Sequence, residues 1–347
     1  YSAASKMRVD PSKILSGTGG IYGDWWRYVH FPVYNTSGLG AADANVLNYG
    51  MAPMFMIYPT LPNEAGFTTQ NFLGSGFGPG SAMNPGDVNY AVSMQGYPTQ
   101  GARSNKVSFY TQRFFGLQFG MSYSPDTGAT GYMNRSKESQ INPNLRGMNI
   151  EDLFNFGLNY KKQINDDIAI AMSITHEVGQ LYSASFLDGN TNINLSDSPY
   201  FYRHDLSATA YGIQLAYKNF SASYSFGDWR NSLLTKSVLM PSGTYGIATQ
   251  SGHSFYHSAG IAFNFGPISM STSYMYSSFA GNDLEVVSVG TDFKMMQFKF
   301  AKVQPYIEYT FFRFMPGGIM LQNGSSQTYK ANSNLGHVIL SGIRVTF

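Results

Sequence analysis

Apolar and polar positions alternate with a period of two through segment after segment of the chain beyond residue 105. Leu117, Phe119, Met121 and Tyr123 share one side, with Gln118, Gly120, Ser122 and Ser124 on the other. Phe154, Phe156, Leu158 and Tyr160 oppose Asn155, Gly157, Asn159 and Lys161. Thr209, Tyr211, Ile213, Leu215 and Tyr217 oppose Ala208, Ala210, Gly212, Gln214 and Ala216, and Phe220, Ala222, Tyr224 and Phe226 oppose three serines. Successive side chains of a strand point to opposite faces, so this is the periodicity of strands. It predicts eleven of them, near 105–114, 117–124, 153–162, 167–176, 207–218, 220–227, 254–265, 267–277, 284–294, 299–311 and 335–347.

The connections sort into two kinds. Those around "RFFG", "KKQINDD", "KNF", "NFGP" and "MMQFK" are short. Long Gly/Asn/Ser/Pro-rich segments fill 125–152, 177–206, 228–253 and 312–334, with a shorter one at 278–283. Short and long alternate. Strands of about ten residues, tight turns at one end and long loops at the other describe a transmembrane β-barrel, and a sandwich does not need that schedule. A soluble propeller would repeat every 40–50 residues, and no such repeat recurs. In lipid an open sheet edge leaves backbone groups unpaired, which demands closure. Tyr123, Tyr160, Tyr217, Tyr276 and Tyr309 lie near strand ends, where interfacial aromatic girdles are expected.

Residues 1–104 read differently from the barrel region 105–347. They are rich in Gly, Pro, Asn and Met, and only 24–33 has the look of a strand, weakened by Pro32. Residues 38–51 fit a short helix. A hundred residues without clear structure tend to be functional.

Composition sharpens the picture. Charged residues are 12% of the 347, about half the share usual in soluble domains, while aromatics reach 16%. The mean hydropathy of −0.19 shows apolar residues interleaved with small polar ones. No stretch of 18–20 apolar residues forms a transmembrane helix. A net charge of +2 and the lack of a basic run argue against nucleic acid as a partner. The chain has no Cys, which removes disulfide and thiolate chemistry. No signal peptide is visible and residue 1 is Tyr, so the chain is expected to be mature, processed or incomplete at its start.

The stretch 104–128, "SNKVSFYTQRFFGLQFGMSYSPDTG", resembles the Gram-negative general porins of the alphaproteobacterial type. Ser104, Asn105, Lys106, Thr111, Arg113, Phe114, Gly116, Gln118, Gly120, Ser122, Tyr123, Pro125 and Asp126 carry the likeness; Gln112 and Phe115 depart from it at the turn. The last strand, ending in Phe347, looks like the C-terminal signature of outer-membrane proteins. The resemblance implies a 16-stranded homotrimer in the outer membrane, in contact with lipid and lipopolysaccharide. Its third loop would fold inward and narrow the pore. Residues 1–104 would then fall in and before that constriction loop, whose charges would be Asp24, Arg27, Asp43, Glu64, Asp87 and Arg103. Eleven strands cannot make an even-numbered barrel. Either 24–33 is a twelfth, or the first five come from a separate N-terminal fragment or lie outside this sequence.

By alternation Lys106, Gln118, Lys161, Gln214, Asp292, Lys294, Lys302, Glu308 and Arg344 face the pore. The excess of bases over acids on that wall points to a mild anion preference. Three function classes stand open: a general diffusion porin, a substrate-selective channel in which Trp25, Trp26 and Tyr28 line a sugar slide, and a non-conducting adhesive or structural surface barrel. Enzymatic signatures are missing: "GSGFGPG" has no following Lys-Ser/Thr, and no nucleophile elbow occurs. Asp188, Asn190 and Asn192 have calcium-loop spacing, but Ile193 stands where the turn needs Gly and no Glu closes the loop. His253 and His257 share a strand face without further ligands, so no metal site or cofactor is expected.

Overall fold

The computed structural model describes residues 2–15, 19–23, 25–29, 32, 55–62, 105–126, 149–182, 204–232, 248–249, 252–293, 302–323, 325–330 and 332–346. Eleven strands form one antiparallel sheet: β1 (Val107–Tyr110), β2 (Leu117–Asp126), β3 (Asn149–Gln163), β4 (Ile168–Tyr182), β5 (Leu206–Tyr217), β6 (Phe220–Arg230), β8 (Ser254–Phe265), β9 (Ile268–Phe279), β10 (Asn282–Phe293), β11 (Lys302–Met315) and β14 (Asn334–Thr346). Each pairs with its neighbours in sequence order. A small second sheet joins β7 (Ala248–Thr249), β12 (Gly318–Asn323) and β13 (Ser325–Lys330).

All eleven periodic segments are strands of the large sheet. Several run further than their alternation: β3 and β4 each reach 15 residues, extended at the long-loop end. There the polar/apolar rhythm fades while the ladder continues, with a bulge between Glu151 and Phe154. Two expectations fail. Residues Trp25–Tyr28 form a 3₁₀ turn where a strand was considered, and the 312–334 loop contains the β12–β13 hairpin. The 278–283 connection tightens to Ala280–Gly281, both with positive φ. Phe115 and Gly116 also have positive φ, the twist a two-residue hairpin needs. The departure of Phe115 from a small residue is therefore borne by a left-handed aromatic. The proposed helix at 38–51 lies outside the described residues.

The two faces of the sheet differ in kind. One carries Leu117, Phe119, Leu158, Ile174, Tyr211, Ile213, Leu215, Ile261 and Ile339, all exposed, from 37% at Phe119 to 69% at Ile339. The five girdle tyrosines share it by register. Polar groups on this face satisfy one another: Tyr224 meets His257 at 2.7 Å, Tyr309 meets His337 at 2.6 Å, and Arg313 donates to Glu285 at 2.5 Å. The opposite face is mostly small and polar along β2–β6, and gains an apolar cluster of Met275, Leu284, Val286, Phe312 and Phe314 along β9–β11. In one register row Asn159, Ser173, Gly212, Ser225 and Ser258 stand side by side.

The outer strands of the sheet, β1 and β14, are not paired to each other among the described residues. With eleven alternating strands they run in the same direction.

An arginine on the exposed apolar face should cost about 2–4 kcal/mol at mid-strand if that face meets hydrocarbon. Ile213→Arg is expected to lower urea resistance in lipid vesicles by this amount, with Gln214→Arg, one residue on, having under half the effect. Equal losses would show that the two faces see the same medium.

Candidate functional site

The polar face is covered by a strap. Residues 2–29, as far as they are described, cross the sheet from β1 to β14, touching the strands in chain order. The strap has little secondary structure of its own: α1 (Ala3–Met7), capped by Ser2 accepting from Ser5 N, and 3₁₀ turns at Pro11–Lys13, Gly20–Tyr22 and Trp25–Tyr28. Its backbone groups therefore turn to the wall for partners. Ala3 N donates to Ser122 Oγ at 3.0 Å, and Val9 N to Ser173 Oγ at 2.8 Å. Asn159 Nδ2 donates to Met7 O at 3.2 Å, and Gly20 N donates to Glu308 Oε2 at 3.0 Å. Tyr22 meets Ser258 Oγ at 3.1 Å. Burial raises the Tyr22 phenol well above its ordinary pKa, so it stays neutral.

Glycine makes the seat. A Cβ built on Gly212 would lie 1.7 Å from Val9 O, and one on Gly157 would lie 2.6 Å from Met7 Cβ. Glycine in a strand interior often marks another backbone approaching closely. At the far end Trp25 stacks on Phe312 with centroids 5.7 Å apart, within a cluster that includes Phe55, Met275 and Phe314. A second segment, Phe55–Leu61, packs beside the strap: Ser277 Oγ donates to Met56 O at 2.7 Å, and Trp229 Nε1 to Thr60 O at 2.8 Å.

The residues singled out by alternation fall as follows. Gln118, Lys106 and Gln214 are half-buried on the polar face, and Lys161 is exposed there. Asp292 and Glu308 share that face but lie beneath covering residues, 5% and 1% exposed. Lys302 and Arg344 occupy the same face by register, with nothing described of their side chains. Arg27 belongs to the 3₁₀ turn, its side chain likewise undescribed. Lys294, Asp24, Asp43, Glu64, Asp87, Arg103, Asp188, Asn190 and Asn192 lie outside the described residues. Trp25 and Trp26 are buried against the wall and only Tyr28 is exposed, which leaves one aromatic of the three for a sugar slide. His253 is held by Asp228 and His257 by Tyr224, so the two do not converge on a common ligand.

Sequence reasoning missed Ser122, Asn159, Ser173, Gly157 and Gly212 as a binding track for the strap. The available signal was a glycine at a polar-face position in one strand after another. It also missed Arg8 and Asp10, a buried pair inside the strap. Burial alone would raise the Asp10 carboxyl, but the Arg8 guanidinium and the Ser12 donors outweigh it and hold the pKa below its usual value.

Gly212→Val should lift the strap at Val9 and accelerate tryptic cleavage after Lys6, Arg8 and Lys13 severalfold, whereas Ala216→Val on the same face should not. An unchanged rate in Gly212→Val would mean that the strap does not rest there. A depressed carboxyl stabilises above its unfolded pKa of about 3.9 and loses that effect only as pH falls through the lower folded value. Hydrogen-exchange protection of the Ser12 amide, bonded to Asp10 Oδ1 at 2.9 Å, should thus hold from pH 7 to pH 5. Its loss within that range would contradict the assignment.

A protein of Rickettsia felis is 24% identical over 361 residues, covering 96% of this chain and 70% of its own length; one of Rickettsia conorii is 24% identical over 360 residues with the same coverage. Both are uncharacterized. Among solved structures, the in-vitro folded OmpT of Vibrio cholerae, an outer membrane protein in trimer form, is 11% identical with a TM-score of 0.35. That likeness covers 70% of this chain, which spans 64% of the OmpT length. Residues 53–313, three-quarters of the chain, match the Gram-negative porin family. With an eleven-stranded antiparallel wall, apolar on one face and polar on the other, the chain belongs to the Gram-negative porins and is an outer-membrane protein.

Proposed function

We propose that the protein is a general diffusion porin, a water-filled channel through which ions and small hydrophilic solutes pass without a catalytic step. The observation that carries this reading is the two-faced sheet. Its exposed apolar face suits hydrocarbon, while its opposite face is rich in Ser, Gly, Thr and Asn, with an aromatic and aliphatic cluster where Trp25 and Phe55 cover β9–β14. The strap and the Phe55–Leu61 segment, seated on the polar face, act as the constriction that narrows the pore. Lys106, Gln118, Lys161 and Gln214 line the water path, with Lys294, Lys302 and Arg344 continuing it and Asp292 and Glu308 anchoring the wall beneath the constriction. Asp24, Arg27, Asp43, Glu64, Asp87 and Arg103 belong to the constriction segment. The channel works as a homotrimer among outer-membrane lipid and lipopolysaccharide.

Closure needs more strands than these eleven. β1 and β14 run the same way, so only an odd number of additional strands can join them with antiparallel ladders. Five would complete sixteen. They come from residues other than those of the eleven described strands of this sheet, within this chain or on a companion fragment.

A planar-bilayer recording is expected to show stepwise conductance rising linearly with bulk salt, and proteoliposomes should swell in small sugars at rates that fall smoothly with solute size. Saturation by one solute would favour the substrate-selective alternative; silence in both assays would favour a surface barrel. Counting strands in the native complex should give an even total above eleven, and a closed pore of these eleven strands alone would contradict the closure argument.

A further inference from the structure

Among the described residues, the charges that reach open space on the polar face near β1–β4 and on the strap are of one sign. Lys6 and Lys13, on the strap, are exposed, as are Arg113 and Lys161 on the wall. Asn159 ties Arg113 on the wall to the strap beside Lys6. Its Oδ1 accepts from Arg113 Nη2 at 2.8 Å, its Nδ2 holds Met7 O next to Lys6, and Lys161 stands two residues further along the same face. Lys6 Nζ lies 4.2 Å from the Tyr110 ring centroid on β1, and Lys13 follows further along the strap, on the turn that packs on β6 and β8. Arg113 bonds only neutral acceptors here: Gly116 O, Gln118 Oε1 and Asn159 Oδ1. Among the described residues none of these four cations forms an ion pair.

Among the described residues, the carboxylates of the polar face are withdrawn. Glu177, Asp292 and Glu308 are all 5% exposed or less. Asp10, which also acts on Lys13, is buried and bound by Arg8. Asp166 and Asp167 sit on the exposed β3–β4 turn, where Asp167 faces Lys218 at 3.7 Å. A count of charges along the wall therefore understates the asymmetry that a solute meets. In a water-filled, low-dielectric-walled passage such an excess concentrates counter-ions.

We infer that Lys6, Arg113 and Lys161 form an anion-attracting site towards the short-turn end of the passage, with Lys13 adding positive charge further along the strap, suited to small polyvalent anions of the phosphate type. It rests on the channel reading above. Three of the five Arg113 N–H donors are engaged, so the guanidinium acts chiefly through its charge, while the lysine ammonium groups carry the donors that meet an anion. Binding is weak and exchange fast, as transport requires.

The test combines a salt-gradient reversal potential with ³¹P line broadening of inorganic phosphate by the reconstituted protein at low ionic strength. Low salt matters, since at 0.1 M the Debye length is about 10 Å. The parent should favour chloride over potassium and broaden the phosphate line. The double variant Lys6→Glu, Lys161→Glu should lower the chloride-to-potassium ratio by about tenfold and abolish the broadening. Lys162→Glu, one residue away on the opposite face of β3, makes the charge change of either single substitution and should leave both readouts alone; resistance to unfolding in cold detergent checks that each variant folds. A conducting parent that prefers potassium or discriminates neither ion overturns the site and leaves the channel standing. A parent without conductance overturns the channel, and the phosphate line then decides the site by itself: no broadening, or broadening unaffected by the double variant, refutes it.

Discussion

Hydrocarbon offers a backbone no hydrogen-bond partner, and the rest of the wall follows from that constraint. Ten ladders join eleven strands in sequence order, leaving unpaired edges, among the described residues, only at β1 and β14. The same constraint makes the apolar face settle its own polar atoms in pairs, as Tyr224 does with His257 and Tyr309 with His337. It also explains the scarcity of charge. A charged side chain has few tolerable positions when one face is meant for lipid and the other lies mostly under the strap.

The strap shows the complementary rule. With little internal hydrogen bonding, it borrows its partners from serine and asparagine side chains of the wall, each such bond contributing about 0.5–1.5 kcal/mol net. Gly157 and Gly212 let its backbone approach as closely as those bonds require. The seat has an electrostatic consequence. Docking buries Asp10 and covers Glu308 while leaving Lys6 and Lys13 outermost, so the covered wall presents a different charge from the bare one.

The wall was legible in the sequence because period-two alternation is a local signal that survives wherever one face is apolar. Where the loops begin, as at Glu151–Phe154 and beyond His176 in β4, strands continue with a bulge or a mixed pattern, and local rhythm underestimates them. Trp25–Tyr28 deceived for a different reason. Its apolar run was ready for a strand, but its partners are Phe312, Phe314 and Tyr58, contacts from far along the chain that fix a 3₁₀ turn. The strap's track was illegible for the same cause. Ser122, Ser173 and Gly212 look like ordinary small residues of a wet wall until Ala3 and Val9 arrive. Charge was legible by sign and face, but exposure was not, which is why Asp292 and Glu308 read as lining residues and Lys6, Lys13 and Arg113 went unread.

The central claim is that the two faces of one sheet meet different solvents, lipid on one side and water on the other. Because the chain contains no cysteine, single cysteines at positions 211–217 of β5 can carry nitroxide labels without background. In reconstituted membranes, oxygen accessibility should peak at 211, 213, 215 and 217, and accessibility to a water-soluble nickel complex should peak at 214 and 216. Uniform accessibility, or the opposite phase, would contradict the account.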